Sequence, residues 1–394
     1  MEKTKLSYFE NLDGLRFFAF LIVFISHATL FLGFTNNSPV FYSIRKYFLI
    51  NGDVGVSFFF VLSGFLITYL LFREKDNNGK ISLKHFYQRR ILRIWPVYFT
   101  TLIIGFFILP VVARMILSGS FSGGNFIFSL NPPFSILPHF IFFLANFVLA
   151  FFGGSSVPTD VLWSVSVEEQ FYLVWPWVIA FIPRKYLLKF LSGIILISCI
   201  YRYTYAFSPD ILAYSTLSVM SNLAIGGVLA YFVYVKNSWV EKVFSSCKSM
   251  PRKIVTLIYL LTFSLIFGRQ LIYDYLSGHS ILYKLSISIL PLILAFLYAL
   301  IIFEQNESGR SLFKIGKSKT LSFFGKISYG LYSYHMFAIV TVLLTISAFG
   351  FNIRYSSPLE WVILAALSLL GVFILAIISY YGMEKKFLKM KPKD

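Results

Sequence analysis

Apolar residues in this chain run in long blocks separated by short polar breaks. Ten blocks stand out, at approximately 14–34, 52–72, 94–116, 163–183, 186–207, 211–235, 254–270, 281–303, 325–348 and 358–382. About 20 apolar residues in a helix match the hydrocarbon core of a bilayer, so each block predicts a spanning helix. One further apolar piece, about 136–152, follows the Gly/Ser/Pro-rich stretch SGSFSGGNFIFSLNPPF and precedes GGSSVPTD. The pattern predicts an all-α fold, a polytopic transmembrane helical bundle of about ten spans.

Charge decides how the extra piece is counted. Basic residues concentrate on cytoplasmic loops. With both termini cytoplasmic and 136–152 not crossing, 28 Lys and Arg fall on the cytoplasmic side. The outer side then holds seven: Arg45, Lys46, Arg114, Arg202, Arg269, Lys284 and Arg354. A full crossing would turn every later basic loop outward, so 136–152 reads as a re-entrant or interfacial segment. Irregular backbone at that depth is tolerated where it lines a cavity.

Composition agrees. The 394 residues are 57% hydrophobic, 20% aromatic and only 13% charged, and mean hydropathy is +0.74. The net charge of +18 follows the topology and lies against anionic membrane lipid, so no nucleic-acid partner is implied. The first block is too long for a signal h-region and lacks a small-residue cleavage site, which predicts a retained first span. Cys199 and Cys247 form neither a metal spacing nor a disulfide framework. No internal repeat is evident, and the polar stretches are loop-sized. Residues 1–394 therefore read as one integral membrane domain with a basic tail, KKFLKMKPKD.

Ionisable residues at membrane depth are costly and point to function. Arg16 and His27 are eleven positions apart in DGLRFFAFLIVFISHATLF. Eleven steps make three turns plus about 20°, so both project from one helix face about 16 Å apart. Arg89, Arg90 and Arg93 cluster at the mouth of the third span, in ISLKHFYQRRILRIWPVYF, with Pro96 just inside it. Snorkelling anchors are one reading; a phosphate-bearing nucleotide cofactor gripped by guanidinium forks is the sharper one. In NGDVGVSFFFVLSGFLITYLLF, Gly52, Gly55, Ser63 and Gly64 suit close helix contact, and Asp53 and Ser57 stand where a polar substrate would touch. WSVSVEEQFYLVWPWVIAF, opening at Trp163, sets Glu168 and Glu169 into an apolar span. They are either a helix-terminal pair or a carboxylate that supports a histidine. FFGKISYGLYSYHMFAIV places His335 beside Tyr334. No nucleophile elbow, zinc-binding H-E-x-x-H or Walker loop occurs.

Together these stretches resemble the acyltransferase-3 family of integral membrane acyltransferases, which includes enzymes that O-acetylate bacterial surface polysaccharides. LDGLRFFAFLIVFISHA looks like the family opening, with Arg16 and His27 in its Arg-x10-His spacing. GVSFFFVLSGFLIT is similar to the second-span signature, FYQRRILRIWPVYF to the arginine motif, WSVSVEEQFYLVWP to the Trp-Ser-Glu-Phe-Tyr signature, and GKISYGLYSYHM to the late Ser-Tyr-His element. Ser57 stands where many members carry Asp, so no carboxylate role transfers there. Members with an added SGNH-type esterase domain continue far beyond this length, so a stand-alone membrane domain is expected.

The resemblance implies transfer of an acyl group, most often acetyl, from cytoplasmic acyl-CoA to a hydroxyl of a carbohydrate or glycan acceptor, in a bacterial inner membrane. No metal is expected. In that scheme Arg89, Arg90 and Arg93 hold the CoA phosphates and His27 is the general base, with Glu168 orienting it. Arg16 steadies the thioester end or pairs with Asp13. Ser57, Trp163, Glu169, Tyr334 and His335 support substrate and site. The rival from another class is a transporter or flippase of a sugar or lipid-linked sugar, which is expected to show inverted repeats or paired broken helices.

Overall fold

The computed structural model describes residues 9–31, 39–117, 133–153, 157–235, 238–307, 311, 313–349 and 357–392. Arg354 and most of the Gly/Ser-rich stretch before 136 lie outside them. No strand occurs among the described residues. Among the described residues ten long helices carry the fold: α1 Glu10–Phe31, α2 Gly52–Asn78, α3 Leu83–Ile103, α4 Trp163–Phe181, α5 Arg184–Thr204, α6 Thr216–Tyr234, α7 Arg252–Leu276, α8 Ser280–Glu307, α9 Ser328–Ala348 and α10 Pro358–Ser379. Each falls on one of the ten apolar blocks. Among the described residues, nine stretches are long and apolar enough to cross a membrane. The exception is α4, whose 19 residues include Glu168, Glu169 and Gln170.

One local feature departs from the sequence reading and a second agrees with it. Helix α3 begins at Leu83, so Pro96 lies inside it rather than in its first turn. The basic stretch that precedes the membrane is itself helical, and the helix does not end where the apolar block begins. A proline there withholds an N–H from the carbonyl four residues back. The piece 136–152 is broken into Leu137–Ile141 and Ala145–Phe152, neither long enough to cross alone. At the break Phe143 takes φ of 56°, which costs an L-residue about 1–2 kcal/mol. Tyr98 Oη donates to the Phe140 carbonyl at 2.7 Å and Gln170 Nε2 to the Phe143 carbonyl at 2.9 Å. Gln170 thus answers the Phe143 carbonyl, while Tyr98 adds a second donor to the Phe140 carbonyl, which already accepts from the Phe143 amide at 3.1 Å.

The chain folds into two compact units that interleave in sequence. The first takes in Met1–Ala19, Asp53–Phe86 and Phe171–Lys326. Here α2 and α6 touch through their backbones: a Cβ on Gly64 would run into the Leu223 carbonyl, and one on Gly226 into that of Val61. That confirms the close-contact reading of Gly64. Phe58, Phe65, Leu294 and Tyr298 belong to the surrounding core. Arg202, counted above with the outer cations, is 3% exposed. Its guanidinium donates to the Ser288 carbonyl, the Ser218 carbonyl, Ser198 Oγ and Ser221 Oγ. It ties α5, α6 and α8 together.

The second unit takes in Phe20–Gly52, Tyr87–Gln170 and Ile327–Asp394. Val97, Leu109, Tyr334, Phe337, Val340 and Leu344 form a core against which Met383 packs. Helix α10 opens with a capping box: Ser357 Oγ accepts from the Glu360 amide, and Glu360 accepts from that of Ser357, which answers two orphan donors at once.

Candidate active site

The second unit brings His27 and His335 together, although 308 positions separate them. His335 is fully buried, on the segment of α9 that carries Tyr332 and Tyr334. Its Nε2 lies 3.1 Å from His27 Nδ1, with ring centroids 4.9 Å apart. The backbone fixes where the hydrogens sit. His335 Nδ1 contacts the Tyr332 carbonyl, and His27 Nδ1 lies 3.1 Å from the Val23 carbonyl. A carbonyl only accepts, so each Nδ1 carries a hydrogen. His335 Nε2 is then a lone pair facing His27 Nδ1, whose single hydrogen it shares with the Val23 carbonyl. His27 Nε2 is left with its lone pair and no hydrogen-bond partner among the described residues. An imidazole held in this tautomer presents a lone pair that can accept a hydrogen bond or a proton.

No carboxylate hydrogen-bonds His27 among the described residues; the group that orients it is His335. This departs from the expectation that Glu168 does so, because residues distant in sequence meet only in the fold. Tyr332, whose carbonyl anchors His335, is itself fixed: its hydroxyl donates to the Val161 carbonyl at 3.0 Å and meets Ser164 Oγ at 2.7 Å. Phe20 packs edge-on against the His335 ring at 6.3 Å.

Of the two adjacent glutamates, Glu169 has the defined setting. Its Oε2 accepts from Trp95 Nε1 at 3.1 Å, and its Oε1 is buried without a hydrogen-bond partner. Glu168 lies within electrostatic reach of it, as does Arg90. Half-buried Trp163 begins the same helix. Tyr334, buried, meets Ser379 Oγ at 3.1 Å, and Ser379 donates to Glu384 at 3.0 Å. Glu384 was not singled out in the sequence. Its signal was a lone carboxylate between an apolar block and a basic tail.

Arg89, Arg90 and Arg93 lie in the part of α3 that belongs to this unit. Lys391, beyond α10, joins them. Its ammonium is pushed down to about 7, first by burial and then by Arg93, Arg90 and Arg89. Like charges in mutual reach disfavour the protonated lysine. Arg16, Asp13 and Ser57 belong to the first unit. There Arg16 and Asp13 form an ion pair at 2.8 Å, as one sequence reading held. Ser57 is half-buried on α2, one turn beyond Asp53, and Asp53 forms a two-pronged ion pair with Arg269. No group of three or more metal-ligating side chains is gathered among the described residues.

Comparison with known proteins follows this geometry. Over 394 residues the chain is 27% identical to "Peptidoglycan O-acetyltransferase OatA" of Listeria monocytogenes, covering 97% of this chain and 56% of that protein. It is 29% identical over 356 residues to a "Putative O-acetyltransferase" of Staphylococcus aureus, covering 86% and 51%. "Putative peptidoglycan O-acetyltransferase YrhL" of Bacillus subtilis is 27% identical over 398 residues, covering 96% and 54%. The chain thus spans about half the length of these relatives. No solved structure matches it. The acyltransferase domain that defines the acyltransferase-3 family matches residues 9–377, so this helical membrane protein belongs to that family.

Proposed function

We propose that the protein is a membrane-embedded O-acyltransferase that moves an acetyl group from cytoplasmic acetyl-CoA to a hydroxyl of a cell-surface glycan, with both termini cytoplasmic in a bacterial inner membrane. The observation that carries the proposal is the oriented imidazole pair. His27 Nε2 takes the proton of the acceptor hydroxyl. The resulting alkoxide attacks the thioester carbonyl, the carbon–sulfur bond breaks, and His27 returns the proton to the departing thiolate. During the step the imidazolium keeps its Nδ1 hydrogen on His335, which spreads the new charge without a permanent buried anion. General-base catalysis of this kind is worth about 10²–10⁴-fold.

Arg89, Arg90 and Arg93 suit the donor's phosphates, because planar guanidinium forks bind phosphate oxygens in pairs. Glu169, clamped by Trp95, shapes the polar wall near Arg90; Glu168 and Trp163 stay in the scheme as its neighbours on α4. Arg16 with Asp13, and Ser57, enter through the family resemblance. A glycan acceptor is supported by the relatives, two of which are named for peptidoglycan.

The test uses purified protein in lipid nanodiscs with radiolabelled acetyl-CoA. Wild type is expected to bind donor and hydrolyse it slowly, His27→Ala to bind without turnover, and the Arg89/Arg90/Arg93 triple alanine to lose binding. Absence of saturable donor binding by wild type would sink the reading and turn attention to sugar transport.

A further inference from the structure

Helix α3 and the C-terminal segment that follows α10 meet in the second unit. Thr100 Oγ1 meets Met383 Sδ at 3.5 Å, which sets their register. From Thr100 back to Arg93 is seven residues, about 10 Å at helical rise. From Met383 the chain stays helical to Lys389, and Lys391 follows two residues later. Arg93 is in electrostatic reach of both Glu384 and Lys391, so the segment after Met383 continues beside the basic end of α3. Lys391 is half-buried there, within electrostatic reach of Arg93, Arg90 and Arg89.

The donor reading above uses three arginines from one helix and leaves this tail unexplained. A lysine beside three guanidiniums gains nothing from them. Burial costs it water, and the like charges add repulsion. Both penalties reverse when a phosphate ester sits among the four cations. The nearby carboxylates do not supply that charge to Lys391: Glu384 is in reach of Arg93 and Glu169 of Arg90. Lys389 in the preceding turn adds a further positive charge.

We propose that Lys391 completes, with Arg89, Arg90 and Arg93, a four-cation site for a phosphate ester, and that the C-terminal tail thereby forms one wall of the donor site. The proposal rests on the acyl-donor reading and names a residue outside the arginine motif as part of that site. A bound phosphate keeps Lys391 protonated. With its proton affinity depressed to about 7 in the free protein, affinity for phosphate falls as pH rises through that value.

Coenzyme A itself is the probe, titrated into full-length protein in zwitterionic nanodiscs at pH 6.0 and pH 8.5. The ribose phosphate of the ligand titrates near pH 6, equally for every variant, so the ratio of wild type to Lys391→Met is the quantity read. At pH 6.0 wild type is expected to bind about tenfold tighter than Lys391→Met, a gap typical of one charged hydrogen bond. At pH 8.5 the gap closes to about twofold or less. Lys391→Arg is expected to hold tight binding at both values, which separates charge from folding. Wild type and Lys391→Met binding alike at pH 6.0 would overturn the tail's role while leaving the donor reading intact. No saturable coenzyme A binding by wild type would overturn both. A third arm uses discs containing phosphatidylglycerol and native mass spectrometry. If Lys391→Met releases that lipid yet leaves coenzyme A binding unchanged, the phosphate belongs to a lipid headgroup and the donor assignment of Lys391 fails.

Discussion

Arg202 and His27 are both ionisable side chains set among apolar helices, and they are treated in opposite ways. Every nitrogen of the Arg202 guanidinium has a partner, through Ser288, Ser218, Ser198, Ser221 and Cys199. Nothing is left over for a ligand, and the cation serves as a clasp. His27 has one nitrogen committed, to Val23 and His335, and the other uncommitted. A satisfied buried polar group holds a structure together; one with a spare lone pair can do chemistry.

The comparison breaks most decisively at His27. Substitution to Ala is expected to lower acyl transfer by about 10²–10⁴-fold while thermal unfolding in detergent moves little. A large fall in the unfolding midpoint would make His27 a second clasp. Arg202→Ala should do the reverse. It leaves several buried acceptors unanswered, at about 1–3 kcal/mol each, so the yield and unfolding temperature of folded protein drop. Whatever folds should bind donor normally.

His335→Ala sharpens the contrast from within the pair. It removes the acceptor for the His27 Nδ1 hydrogen, so kcat should fall by about tenfold, one charged hydrogen bond, with donor KM unchanged. His335→Gln, which keeps an acceptor, should recover part of that loss. A KM change without a kcat change would assign His335 to binding. The smallest effect is expected at Glu169: Gln retains an oxygen for Trp95 Nε1, so Glu169→Gln should stay within about threefold of wild type in transfer. A loss near that of His27→Ala would mean the carboxylate itself carries a proton or charge in the reaction.

The ten helices were legible because apolar length is a strong signal, and charge asymmetry foretold that 136–152 would not cross as one helix. The bend at Phe143 was not legible, since no glycine or asparagine marks the left-handed residue. The clasp at Arg202 was not legible for a related reason: the serines that hold it come from three helices. For the site, each imidazole was visible as an anomaly in a greasy stretch. Their pairing was invisible, as was the place of Lys391 beside α3, because both depend on contacts between segments roughly 300 residues apart. The arginine cluster, by contrast, sits within one turn and a half and could be read directly.

The bend at Phe143 also has a history in the life of the chain. The carbonyl it frees is answered by Gln170, 27 positions later, on a helix synthesised only after the bend has left the ribosome. Until that helix arrives, the carbonyl must remain at the aqueous boundary or stay in an unbroken helix, for in lipid an unanswered one costs several kcal/mol. In lipid, the hydrogen bonding of this segment is therefore completed from downstream, by a residue made after the bend itself.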